Sequence, residues 1–302
     1  MKVSHHSQTQ RAVHLTVTPP PYCEDMALPV PLTLSPSKVG SFTDCALAFR
    51  FSAIDRLPEP PSVPATRGTL VHAALERLFC APPADRTPEL ALQCLEHAGE
   101  AIRSDPEYLG LGLEADDERI FYMQAAELLL RYFQLEDPTA VHPIGLELLL
   151  EIEMSGVRLR GIIDRLELDE HGGLIVTDYK TGKPPSRMSE RTRLSGLHIY
   201  ALLCERMLGR RPAKVQLLYL GGTEPVSITC EPDERSVTAL ERRLSAVWSA
   251  IERACEREDF RPHPSRLCDW CSFKPFCPAH GGDPAAAVVE APVREPVLAS
   301  AG

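Results

Sequence analysis

The stretch Gly161–Lys183, GIIDRLELDEHGGLIVTDYKTGK, constrains this chain more than any other. It reads as two short strands joined by a tight turn at Asp169–Gly173. The first carries Asp164 directly after the apolar Ile162 and Ile163. The second, Leu174–Ile175–Val176, ends in Asp178, Tyr179 and Lys180. Side chains alternate along a strand, so Asp178 and Lys180 point to one face and Tyr179 to the other. Two carboxylates and an ammonium at the ends of paired strands suit a hard divalent cation such as Mg²⁺. Such a metal polarises a phosphoryl oxygen and lowers the pKa of bound water, while the lysine orients the nucleophile. A hairpin bearing D-R and D-x-K is also common on solvated surfaces, so these charges alone leave a structural role open.

The chain has 302 residues, 44% of them hydrophobic and 25% charged, which is ordinary globular material with enough length to bury a core. Its net charge of -10 excludes the global basic footprint of a passive nucleic-acid coat. Local charge differs. Between Arg187 and Lys214, directly after the D-x-K strand, seven basic residues stand against Glu190 and Glu205. Two readings fit, a solvated helix face and a phosphate-contacting face. No apolar run reaches the length of a membrane span. MKVSHHSQTQRAVHL has no apolar signal core, so the expectation is a cytoplasmic protein. Ten cysteines in such a chain point to thiol or metal chemistry rather than a disulfide framework.

Residues 1–32 lack a period and read as a disordered extension, and Met26 has the look of an alternative start. Ser35-Pro36 predicts a capped helix running to about Phe51. Further helices are expected over 66–79, 87–104 and 117–135. The last has a core stripe of Ile120, Phe121, Leu128, Leu129, Tyr132 and Phe133. Strands follow at 145–154, 157–168 and 173–180, a helix at 191–208, strands near 213–221 and 225–230, and a helix over 233–256. The pattern predicts a central sheet flanked by helices in one domain, 33–280, with a disordered Pro/Ala/Val-rich tail over 281–302.

His72 lies on the second helix with Glu76 one turn on, and a lone histidine there is most often structural. The C-terminal region holds Cys268, Cys271 and Cys277 as C-x2-C-x5-C, with proline after the last. Four thiolates complete either a tetrahedral zinc or an iron–sulfur cluster. By spacing alone the fourth ligand is a distant cysteine or a histidine such as His263 or His280. The other cysteines read as core or incidental thiols.

LSPSKVGSFTDCALAFRF, RGTLVHAALERLF, GIIDRLE, VTDYKTGK and C-x2-C-x5-C together resemble, in order, the RecB-family and Cas4-like exonucleases of the PD-(D/E)XK nuclease superfamily, iron–sulfur branch. The matches run from about Leu34 to Pro278. The resemblance implies an α/β restriction-endonuclease-like core, a mixed sheet flanked by helices, with a [4Fe-4S] cluster joining its N- and C-terminal segments. It implies Asp164, Asp178 and Lys180 as catalytic residues. Mg²⁺ or Mn²⁺ would be held by His72, Asp164, Asp178 and the Tyr179 carbonyl, and the cluster by Cys45, Cys268, Cys271 and Cys277. Lys183, Arg187, Arg191, Arg193 and Tyr200 are the substrate-contact expectations. One position departs: where the family places a glutamine before Tyr200-Ala201, this chain has Gly196, with Ser195 and His198 as neighbours able to substitute.

The function implied is metal-dependent hydrolysis of DNA, exonucleolytic on single-stranded ends, in repair, recombination or processing. The chain has no G-x-x-x-x-G-K-[ST] phosphate loop, so any helicase would be a separate subunit. Two rivals stand beside this reading: a DNA-binding module weak or inactive in catalysis that works with a separate helicase or nuclease, and a zinc-bound domain of unrelated function.

Overall fold

The structure is a computed structural model that describes residues 28–154, 156–185 and 187–290, without the side chains of 187–195 and 288–290. Ser35 Oγ accepts from the Lys38 N–H at 3.3 Å and starts α1 (Pro36–Asp44), with Pro36 where a missing N–H costs nothing. The helix was expected to reach Phe51. Instead Cys45 is extended, at φ -161° and ψ 110°, and the chain resumes as α2 (Ala46–Phe49) and a π-helical turn, Arg50–Ile54. That break presents the Cys45 thiol to the C-terminal loop rather than to a helix face.

Four helices follow: α3 (Val63–Cys80), α4 (Pro88–Ile102), α5 (Pro106–Leu109) and α6 (Ala115–Tyr132). Leu70, Val71, Ala74, Leu75 and Leu78 of α3 pack with Phe121, Leu129 and Tyr132 of α6 in one core. Ile120, expected in that stripe, is 44% exposed. Phe121, Ala125, Leu128 and Tyr132 fix the buried face, and one residue earlier lies about 100° around the helix.

The sheet has the order β1-β2-β3-β4-β5, from β1 (Pro143–Met154), β2 (Val157–Leu168), β3 (Leu174–Lys180), β4 (Lys214–Tyr219) and β5 (Val226–Cys230). Among the five strands of the described residues only β3 and β4 pair in parallel, and the crossover that this demands is α7 (Arg187–Leu208); Leu34 adds an isolated parallel bridge to Leu159. The turn between β2 and β3 closes as expected, with Asp169 Oδ1 accepting from the His171 and Gly173 N–H groups at 2.8 and 2.7 Å. Helix α8 (Glu234–Arg257) starts at a capping box on Asp233 and covers the second core with α1, α2 and α7. The sheet lies between two helical layers, as the sequence predicted.

Strand alternation is reset within β2. Leu159 and Ile163 join the α7–α8 core, and so does Leu166, three residues on, while Arg165 faces the α3–α6 side. The reset falls where β1 carries Glu147 at φ 44°, a left-handed conformation that side chains rarely adopt. The sheet therefore kinks beside Asp164.

Both ends are ordered further than composition suggested. The Leu28 N–H donates to the Cys255 carbonyl at 3.2 Å, and Pro31 is buried. Past His280 the chain forms α9 (Pro284–Glu290), with Ala287 buried. Apolar residues between the prolines find the core, and a run of alanines favours helix. Residues 1–27 and 291–302 lie outside the described residues.

Candidate metal centre

Asp164 of β2 and Asp178 of β3 sit next to the paired residues Arg165 and Thr177, where the two strands begin to diverge. The Tyr179 N–H donates to Asp164 Oδ2 at 2.6 Å, which fixes that carboxylate. His72 comes from α3. Its Nδ1 lies 3.5 Å from Asp164 Oδ2 and its Nε2 lies 3.1 Å from the Tyr179 carbonyl oxygen. Glu147 completes the group from β1: ligand atoms of His72, Glu147 and Asp164 lie within 4.8 Å of one another. Lys180 Nζ is 2.5 Å from Asp178 Oδ2, an atom that is buried without a properly directed hydrogen bond, while Asp178 Oδ1 accepts from the Tyr200 hydroxyl at 3.0 Å.

The local electrostatics are those of acids short of a cation. Burial raises the Asp178 pKa, Lys180 opposes, and Asp164 adds to the rise. Burial and the Asp164 charge push Glu147 up to about 7. Burial works against a charged His72, but its hydrogen bond to Asp164 and the charges of Asp164, Asp178 and Glu147 prevail and raise its pKa. Lys180 likewise loses to burial and gains more from Asp178, so it stays an ammonium. A divalent cation fits this donor set: carboxylate oxygens, one of them buried and met by Lys180, a backbone carbonyl and one imidazole.

The opposite face of the same strands pairs its buried cation with carboxylates of the protein, although Arg165 Nε and Glu167 Oε2 meet only as an ion pair at 3.1 Å without a directed hydrogen bond. Arg165, wholly buried, donates to Glu136 at 2.8 and 3.0 Å, to the Tyr179 hydroxyl at 2.9 Å and to Thr177 Oγ1 at 3.1 Å. Its guanidinium also lies over the Phe79 ring, 4.8 Å from the centroid. Tyr179 is thus gripped by its ring from behind while its backbone N–H and carbonyl serve the front.

The centre opens into a cleft of about 580 Å³ lined by Gly68, Thr69, His72 and Glu76 of α3, Glu147, and Lys180–Gly182. A Cβ on Gly68 would meet Thr181 Oγ1 at 3.0 Å, so glycine lets α3 approach the loop after Lys180. Among the substrate-contact expectations, Tyr200 reaches the centre through Asp178, and Lys183 lies outside the cleft lining. The side chains of Arg187, Arg191 and Arg193, and that of Ser195, fall outside the described residues. A Cβ at Gly196 would meet nothing within 4 Å among the described residues, so none of them forces the glycine by crowding. Burial lowers the His198 pKa, and the charge of Asp233, at the start of α8, opposes it.

The model of the PD-(D/E)XK nuclease superfamily matches residues 33–278. The chain belongs to that superfamily. It is 25% identical over 275 residues to the Gene 69 protein of Mycobacterium phage D29, covering 81% of this chain and 96% of that one. Against the Gene 69 protein of Mycobacterium phage L5 it is 26% identical over 135 residues, and the match spans 44% of each, less than half the relative's length. A solved Eubacterium rectale structure, described provisionally as an exonuclease, superposes with a TM-score of 0.50 at 14% identity, covering 80% of this chain and 87% of that one. That likeness carries the fold alone.

In this PD-(D/E)XK chain the four predicted cysteines face one cavity, with no three of their sulfurs within 4.8 Å of one another. Cys45, Cys268, Cys271 and Cys277 line one cavity of about 220 Å³ with His263 and His280. Backbone N–H groups point at the sulfurs: His263 donates to Cys45 Sγ at 3.4 Å and Ser265 to Cys268 Sγ at 3.3 Å. Burial raises the Cys271 thiol pKa, the Phe273 N–H lowers it, and the charges of Cys45, Cys268 and Cys277 raise it again. Phe51 packs on Phe273 and Phe276 beneath the loop, at 5.5 and 6.3 Å between centroids.

Two residues escaped the sequence reading. Glu147 sits in GLELLLEIEM, where it looks like any outward glutamate of an alternating strand. Counting back from the Met154–Val157 pair sets residue 147 opposite Asp164, the signal that could have found it. Arg165 lies inside the quoted GIIDRLE, but nothing local shows that it is buried.

Proposed function

We propose that this chain is a metal-dependent nuclease of DNA, related to the RecB-family and Cas4-like enzymes and acting exonucleolytically on single-stranded ends. The observation that carries the reading is the meeting of His72, Asp164, Asp178, Lys180 and the Tyr179 carbonyl in one cluster, of which His72, Tyr179 and Lys180 line the cleft. Mg²⁺ or Mn²⁺ would be held by His72, Asp164, Asp178, Glu147 and that carbonyl. When bound, the ion supplies Lewis acidity toward the scissile phosphate and a more acidic water. Lys180, kept cationic by Asp178, positions the attacking water and offsets negative charge that develops on the phosphoryl oxygens. Tyr200 orients Asp178, and the Tyr179 N–H orients Asp164. Lys183 and the basic start of α7 are assigned to the DNA backbone.

Cys45, Cys268, Cys271 and Cys277 would hold a [4Fe-4S] cluster that staples the N-terminal helices to the C-terminal loop. Four thiols around one cavity, with N–H groups directed at sulfur, support that assignment. Anaerobically purified protein should be brown with iron and sulfide bound; colourless protein carrying zinc would assign the same ligands to a zinc site.

The activity test uses anaerobic protein and end-labelled single-stranded DNA with Mg²⁺ or Mn²⁺, beside Lys180→Ala. Progressive shortening by the wild type alone is expected. A folded, metal-binding wild type that leaves DNA intact would favour the second reading, a DNA-binding partner of a separate helicase or nuclease, which the open position at Gly196 supports.

A further inference from the structure

The cleft over the metal centre differs on its two sides. One face of α3 forms a wall of it, and residues four apart on that face follow one another at about 6 Å between Cβ atoms. Gly68, His72 and Glu76 are such a row, and all three line the cleft. His72, 3.1 Å from the Tyr179 carbonyl and 3.5 Å from Asp164 Oδ2, marks the metal position in the middle. Gly68 and Glu76 therefore lie one helical turn from it in opposite directions.

On the Gly68 side the lining carries no acid. Pro64, Ala65 and Thr69 are uncharged, and the close approach of Gly68 to Thr181 Oγ1 sets the segment Lys180–Gly182 across from them. Lys180 brings a cation to that side, and the chain runs on from it to Lys183. On the other side stand Glu76 and, from β1, Glu147. Glu147 faces His72 and Asp164 and belongs to the ion of the proposed centre. That leaves Glu76 as the unmatched acid of its side, since its side chain makes no ion pair or hydrogen bond among the described residues. The cleft of about 580 Å³ is thus cationic toward Lys183 and anionic at Glu76.

A nucleic-acid strand carries a negative charge at every phosphate. With its scissile phosphate at the metal, such a strand finds Lys180 in one direction. In the other, the next phosphate, one nucleoside on, would meet the Glu76 carboxylate, and like charges set against each other across a binding site are costly. A terminal nucleoside has no phosphate there. It ends in a sugar hydroxyl, a donor that a carboxylate accepts well.

We propose that Glu76 is the specificity-determining residue of the cleft. It accepts a hydrogen bond from the terminal sugar hydroxyl of a strand and rejects a strand that continues with another phosphate. The inference rests on the nuclease reading for the identity of the ligand and deepens it: one side chain gives the physical reason for action at hydroxyl-bearing ends rather than within a strand.

The test is fluorescence anisotropy of an internally labelled oligothymidylate with Ca²⁺ in place of Mg²⁺, the DNA verified intact afterwards. The oligomer carries hydroxyls at both ends, a phosphate on the 5′ end alone, or a phosphate on the 3′ end alone. The wild type should bind one of the two phosphorylated forms about tenfold more weakly than the hydroxyl-ended form, as a like charge across a binding site requires. Glu76→Gln should bind the hydroxyl-ended form within about threefold of wild type, because the amide oxygen still accepts, and should lose the discrimination. Glu76→Ala serves as a second variant and should be equally blind to the end phosphate. No binding, or equal binding of all three forms by the wild type, would overturn the assignment, and so would a penalty that persists in both variants. Wild-type Mn²⁺-dependent hydrolysis of bis(p-nitrophenyl) phosphate, a diester without a sugar, judges the nuclease reading separately. Discrimination that depends on Glu76 without that hydrolysis keeps the end recognition and sinks the nuclease. Hydrolysis with end-blind binding does the reverse.

Discussion

Asp164 and Arg165 are neighbours on β2, yet they stand in opposite electrostatic worlds. Arg165 is a buried cation surrounded by Glu136, Glu167, Thr177 and two tyrosine hydroxyls. Asp164 meets Asp178, Glu147 and His72, and among the described residues of the centre only Lys180 brings a fixed positive charge. One face is neutralised by the protein itself. The other is left for an ion to neutralise. The rule this teaches is that a buried charge completed by its own fold marks architecture, and one left incomplete marks chemistry.

The largest effect expected from breaking this contrast is on catalysis. Lys180→Ala should lower DNA cleavage by about a thousandfold or more while circular dichroism stays as in wild type. Cleavage near the wild-type rate would remove Lys180 from the chemistry. On the matched face the loss should be one of stability. Arg165→Met strands Glu136 and Glu167 in the interior, and chemical denaturation should show a loss of about 3–5 kcal/mol. Next comes metal linkage. Mg²⁺ at about one hundred times its dissociation constant should stabilise the wild type by about 2.7 kcal/mol and leave Asp164→Asn unchanged.

The smallest effect is the pH dependence without metal. Glu147 is raised from an ordinary 4.5 to about 7, so its stabilising protonated state is fully kept below about 4.5 and lost as pH rises through 7. Raised His72 acts in the same direction, its contribution complete below 6.5 and lost above its folded pKa. Metal-free protein should therefore melt earlier as pH climbs from 4.5 past 7. Glu147→Gln should flatten the slope and gain about 0.5 kcal/mol at pH 8, a small figure because solvent screens this residue. An unchanged slope would show that Glu147 does not share the centre's charge.

Much of this was legible beforehand because it is local. Strand β2 was expected at 157–168 and is found there, and its turn follows from Asp169 and the two glycines behind it. Asp178 and Lys180 share a face by alternation alone. What was hidden depends on contacts far apart in sequence. The kink at Glu147 answers to Asp164 across the sheet, and the burial of Arg165 depends on Glu136 from the loop after α6. Cys45 has no spacing signal; only the family resemblance pointed to it, and the extended break between α1 and α2 shows how it reaches the loop. Residues 28–32 and α9 were misjudged because prolines and alanines look idle until a core is present to receive them.

The most direct measurement is Mn²⁺ binding by calorimetry at pH 8, comparing wild type with Asp164→Asn and Arg165→Lys. The account predicts binding by the wild type, none by Asp164→Asn, and retained binding by Arg165→Lys wherever that variant is folded. Equal Mn²⁺ binding by wild type and Asp164→Asn would contradict it, since the unmatched acids on that face would then not be the metal centre.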